Sequence, residues 1–169
     1  MSIHVTDPDE GLSPRTSHPR FVELAPERFY SEIDEFAPFG NDSGADVLVV
    51  LEELAESDGD AVDALVALHE LLSDWDFGIA PELFGAGDDD VRAWVAQNPA
   101  EVHALAAEAQ ARIAAAIGWV KITGTADERL LSVGEQGARV LRVLDPGEHR
   151  EDHLAAVAEI REFLAAAAS

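Results

Sequence analysis

The chain has 169 residues, 47% of them apolar, no cysteine and a net charge of −23 from 34 acidic against 11 basic side chains. That length and apolar content predict one domain with a real core despite the charge, while the missing cysteines exclude disulfides, thiolate metal sites and cysteine nucleophiles. A negative field of this size repels nucleic-acid phosphates and anionic membranes. No apolar run reaches the ~20 residues of a membrane span, and the polar start MSIHVTDPDEGLSPR has no export-signal core. The expectation is therefore a cytoplasmic protein without direct nucleic-acid or membrane contact.

Residues 1–22 contain Pro8, Gly11, Pro14 and Pro19 and no apolar period, which predicts an extended or disordered arm ahead of a helical domain at 23–169. Pro26 suits a first helical position, and Leu24 can staple onto Phe29. With Ile33 and Phe36 on the same face, a helix is predicted over about 26–36. A second is expected over about 44–56 on Val47, Val50, Leu51 and Leu54, and a third over about 61–76 on Leu65, Leu68, Leu72 and Trp75. The irregular stretch FGIAPELFGAGDDD follows at 77–90, then a short helix with Val91, Trp94 and Val95.

Asn98-Pro99-Ala100-Glu101 reads as a cap, a first-position proline and a third-position acid. The helix it opens, about 99–122, is apolar on every face beyond Arg112, so its second half should be surrounded by other helices, with Gly124 ending it. Thr125-Ala126-Asp127-Glu128 has the spacing of another capping box and launches a helix to about Leu144. Gly134 and Gly137 inside it each cost ~1 kcal/mol relative to Ala, which marks close approach to a neighbouring helix. A last helix is expected at about 149–167. The fold class is all-α: a single-domain bundle of about six helices around a central apolar helix.

The segment DEFAPFGNDSGAD at 34–46 gathers four acids, an Asn and two Phe around a Pro and two Gly. Ser43 and Asp46 have capping-box spacing, Asn41 and Asp42 suit a turn, and Phe36 and Phe39 can seal the corner. The other reading is a divalent-cation site built from Asp34, Glu35, Asp42 and Asp46, although the spacing matches no EF-hand loop. His149 and His153 in HREDH lie one helical turn apart, yet fit neither H-E-x-x-H nor H-x-x-E-H. They read as exposed first-turn residues. His69 reads as a hydrogen-bonded histidine at the core edge, and His103 has nothing beside it to activate. Trp75, Phe77, Phe84 and Trp94 surround the irregular 77–90 stretch, either closing the core beneath a loop or forming a partner groove.

The run FYSEIDEFAPFGNDSGADVLVVLEEL, preceded by His18-Pro19, resembles the YfeS-like group of uncharacterised small bacterial proteins, which carry a D-E-F-x-P-F-G-N/S-D-x-G-x-D segment after an aromatic helix. ARIAAAIGWVKITGTADERL is similar to that group's long apolar helix and following turn, and the two matches cover about a third of the chain. This chain departs from the group in its excess of Ala and its stronger acidity. The resemblance implies a helical domain and brings no activity and no functional residues.

No G-x-S-x-G elbow, Walker loop or Rossmann glycine fingerprint is present, so the sequence points to no cofactor and no catalytic residue. Asp88, Asp89 and Asp90 would repel phosphate from FGAGDDD and read as acids for the helix that follows. The leading expectation is a non-enzymatic acidic protein that binds a basic protein, for example as an immunity or inhibitor protein for a basic toxin or nuclease. The alternatives are a divalent-cation-dependent enzyme or ligand-binding module at 34–46, and a housekeeping domain with a salt-adapted surface.

Overall fold

A computed structural model describes residues 2–169. The described residues form seven α-helices and no strand: α1 (Pro19–Leu24), α2 (Asp42–Asp58), α3 (Ala64–Trp75), α4 (Asp88–Gln97), α5 (Val102–Thr123), α6 (Glu128–Val143) and α7 (Arg150–Ala167). The chain is all-α and bundle-like, as its periodicity predicts.

The expected central helix is α5. From Ala111 to Thr123 every residue except half-exposed Trp119 is buried. A helix without a polar face has to be wrapped, and here α2 and α3 lie along one flank and α6 along the other, with α7 packed on α6. Gly124, in the left-handed conformation at φ 83°, ends it by returning its N–H to the Val120 carbonyl at 2.8 Å. The two glycines of α6 have the predicted purpose. A Cβ on Gly134 would stand 2.7 Å from the Ala116 Cβ, and one on Gly137 would stand 2.6 Å from the Ala109 carbonyl oxygen, so α6 can seat on α5 only without those side chains.

Residues 2–22 depart from expectation, Met1 lying outside the described residues. The segment is extended in its first part, but it is not a separate arm: it is docked on the bundle. The His4 and His18 N–H groups donate to the Ile122 and Lys121 carbonyls at 2.9 and 2.8 Å, satisfying acceptors that the last turn of α5 leaves free. Leu12 and Phe21 enter the core. Pro19 opens α1 instead of breaking the chain, with His18 Nδ1 accepting the Arg20 N–H at 3.0 Å.

The helix expected at 26–36 does not form. Only Glu27–Tyr30 makes a single 3-10 turn. Beyond it, side chains take the backbone groups a helix would need: Ser31 Oγ accepts the Asp34 N–H at 2.9 Å, and Asp34 Oδ1 accepts the Phe36 N–H at 3.0 Å. Three caps also differ from expectation. Asn41 caps α2 in place of Ser43, and Asp127 caps α6 in place of Thr125. Asn98 turns its amide back to the Trp94 carbonyl at 2.9 Å, closing α4 rather than opening α5.

Candidate functional site

The 34–46 elbow is a keystone turn, and Asn41 holds it. Asn41 Oδ1 accepts the Gly44 N–H at 2.7 Å, while its amide donates to the Glu35 and Ala37 carbonyls at 3.2 and 3.1 Å. A Cβ on Gly40 would overlap the Asp34 carbonyl and one on Gly44 the Pro38 carbonyl, so both glycines are steric requirements of the turn. Ala37, Pro38 and Phe39 are buried beneath it.

The structure does not bring Asp34, Glu35, Asp42 and Asp46 together as a cation site. Asp34 pairs with Arg28 at 2.8 Å, whereas Glu35, Asp42 and Asp46 are exposed. Among the described residues no three His, Asp or Glu side chains converge as metal ligands. Arg28 is instead a hub for three carboxylates: Asp34 and Asp152, each at 2.8 Å, and Glu159 at 3.0 Å. It joins the elbow to α7. These hydrogen bonds raise the Arg28 guanidinium further above its ordinary value and hold the Asp152 carboxyl below the usual carboxylate range.

The four aromatics singled out in sequence do not form one groove. Trp75 packs on the main core, with its ring 5.5 Å from that of Phe77, whereas Phe84, Phe77 and Trp94 belong to a second cluster under α4. Phe84 is buried and lies beneath the Arg112 guanidinium, 3.9 Å from ring centroid to Cζ. Arg112 also meets Glu108 at 3.4 Å, both buried; desolvation outweighs their attraction, pushing the Glu108 carboxyl up and the Arg112 guanidinium down. Asp88 pairs with Arg142 at 2.6 Å and Asp89 with Arg92 at 3.3 Å in the first turn of α4. His69, expected at the core edge, is exposed. His153, expected on the surface, is buried and contacts the Leu141 carbonyl at 2.7 Å through Nε2.

Two features the sequence reading did not isolate stand out. The first is electrostatic. Between Arg28 and Arg92 the chain contains no lysine or arginine, and this stretch supplies α2 and α3. Asp42, Asp46, Val49, Glu53 and Glu56 follow one another at spacings of three and four along the solvent side of α2, and Glu70 and Asp74 are exposed on α3. Glu56 and Asp58 stand at the C-terminus of α2 and Asp74 and Asp76 at that of α3, where the helix dipole disfavours negative charge. Two cations reach these helices from others: Lys121 of α5 pairs with Glu52 beneath α2, and Arg129 of α6 stands 3.5 Å from Asp63 at the start of α3. Among the described residues every lysine and arginine except Arg139 and Arg150 is in an ion pair. The sole lysine, Lys121, is wholly buried 2.5 Å from Glu52. The uninterrupted absence of cations over 29–91 was available in the sequence as a signal.

The second feature is a pocket of about 280 Å³ between the elbow, the first half of α5, the end of α6, and α7. Phe36, Pro38, Val102, Ile113, Leu144 and Val157 give it apolar walls. Its lining comes from four separate parts of the chain, so no local motif announces it.

No family model, curated protein or solved structure matches this chain.

Proposed function

We propose that this is a non-enzymatic cytoplasmic binding protein whose α2–α3 face captures a basic protein, in the manner of an immunity or inhibitor protein restraining a basic toxin or nuclease. The observation that carries the reading is that α2 and α3 supply no lysine or arginine of their own to this acidic face. Carboxylates three and four residues apart on one helix repel one another, and those at the helix C-termini oppose the dipole. Beyond Asp42, which the N-terminus of α2 favours, the arrangement costs stability. Lysines and arginines of a partner would relieve that repulsion and would be steered to the face during diffusional encounter.

The experiment compares two variants of equal net charge. In one, Asp46→Asn, Glu53→Gln, Glu56→Gln and Glu70→Gln neutralise the face. In the other, Asp9→Asn, Glu101→Gln, Glu148→Gln and Glu151→Gln neutralise exposed acids elsewhere. Binding to strongly basic proteins such as lysozyme, ribonuclease A and cytochrome c is measured as salt is raised. The reading expects affinity and its salt dependence to fall in the face variant and to persist in the control. Equal losses in both variants would mean that net charge alone is responsible, and the face assignment would be withdrawn.

A further inference from the structure

The pocket between the elbow and α5, α6 and α7 has a polarity of its own. Its walls are apolar, and the one titratable side chain buried in its lining is His153, 6% exposed. His153 Nε2 lies 2.7 Å from the Leu141 carbonyl, which can only accept, so the ring proton of the neutral imidazole resides on Nε2. Nδ1 is left as a lone-pair acceptor, and among the described residues no protein donor meets it. The Phe36 ring stands edge-on to the imidazole with centroids 5.2 Å apart, fixing its orientation.

The remaining polar groups separate into committed and free. Asn41 has both amide atoms engaged within the elbow. Gln110 and His103 have no protein partner, and the exposed carboxylates Glu35 and Asp145 stand at the mouth, Asp145 Oδ1 accepting the Gly147 N–H at 2.9 Å. No lysine or arginine borders the cavity among the described residues. An anionic head group would find no counter-charge there, and the field of a chain of net charge −23 would oppose it. A donor head group would meet the His153 ring in the lining and two carboxylates at the rim.

We infer that this pocket is a binding site for a small apolar amine, its hydrocarbon body against Phe36, Ile113, Leu144 and Val157 and its ammonium group donating to His153 Nδ1. A cavity of about 280 Å³ holds a single-ring molecule; an apolar cavity of ~150 Å³ already accepts benzene. The site is independent of the acidic α2–α3 face, and either can fail without the other.

The test uses 2-phenylethylamine and 3-phenylpropionate as probes of similar shape and opposite charge, titrated into the full chain and followed by NMR. The amine should saturate with a dissociation constant at or below about 1 mM, in line with the binding energy available per atom of a small ligand. It should shift the methyl resonances of Val102, Ile113, Leu144 and Val157 and the ¹⁵N resonance of His153 Nδ1. The carboxylate should bind at least about tenfold more weakly, a difference of about 1.4 kcal/mol. The double variant Glu35→Gln/Asp145→Asn changes exposed rim positions, leaves the fold intact and should weaken amine binding about threefold or more. Ala106→Phe, which fills the cavity, should abolish it, with thermal unfolding confirming that the variant is folded. Equal affinity for both probes, wall-methyl shifts without movement of His153 Nδ1, or no saturable shift would each overturn the assignment.

Discussion

Lys121 offers the sharpest test of how the amino-terminal segment is held. Its ammonium group is wholly buried and donates to Glu52 at 2.5 Å, to Thr6 Oγ1 at 3.1 Å and to the His4 carbonyl at 3.1 Å. Glu52 Oε1 in turn accepts the Thr6 N–H at 2.9 Å and its hydroxyl at 2.7 Å. One buried ion pair thus joins α2, α5 and residues 4–6. Desolvation holds the Lys121 ammonium below its ordinary value, opposed by the attraction of Glu52. Glu52→Ala would leave that charge buried without its counter-ion, a change that costs about 3–5 kcal/mol. For a domain of this size each kcal/mol lowers Tm by about 2–4 °C, so the loss should be about 6–20 °C. Lys121→Met with Glu52→Gln removes both charges while keeping an acceptor for Thr6, and should recover most of the stability. The assay is thermal and urea unfolding of the parent and the two variants, with hydrogen exchange at the Thr6 amide. Glu52→Ala within about 1 kcal/mol of the parent would mean that Lys121 is not left as an uncompensated buried charge.

The remaining predictions test separate packing and charge relations. Gly137→Ala gains about 1 kcal/mol of helix propensity but drives a Cβ into the Ala109 carbonyl at 2.6 Å. Overpacking of about 1–3 kcal/mol should dominate, and urea unfolding should show a net loss. Tyr30 has a buried hydroxyl without a partner, so Tyr30→Phe should leave stability unchanged or raise it by up to about 1 kcal/mol; a clear loss would expose an unrecognised hydrogen bond. The Asp152 carboxyl is depressed by its hydrogen bond to Arg28. Its contribution is therefore present above the ordinary aspartate range and lost as pH falls through the lower folded-state value. Arg28→Ala should return the Asp152 titration, followed by carboxyl ¹³C NMR, to the ordinary range.

Helices with an unbroken apolar period were legible in the sequence. Leu65, Leu68 and Leu72 marked α3, and the all-round apolar stretch after Arg112 identified the spine. Gly134 and Gly137 announced the seat of α6 because their cost within a helix requires a structural reason. The 26–36 segment misled because Leu24, Phe29, Ile33 and Phe36 share a helical period while Ser31 and Asp34 bond to the local backbone; Ile33 ends 92% exposed. The docking of residues 2–22 was illegible for a different reason. It depends on free carbonyls at the end of α5 and on Glu52, partners remote in sequence. Site residues divide similarly. The elbow's acids looked like ligands because spacing cannot reveal that Asp34 faces Arg28. His153 looked superficial because its burial depends on the elbow and α6 folding over α7.

A backbone amide NMR titration with an arginine- and lysine-rich peptide locates where a basic partner lands. Shifts should concentrate at Asp46, Val49, Glu53, Glu56, Glu70 and Asp74 and fade as salt is added. Shifts of equal size along the exposed sides of α6 and α7 would contradict this placement, reducing the acidic face to one part of a uniformly charged surface.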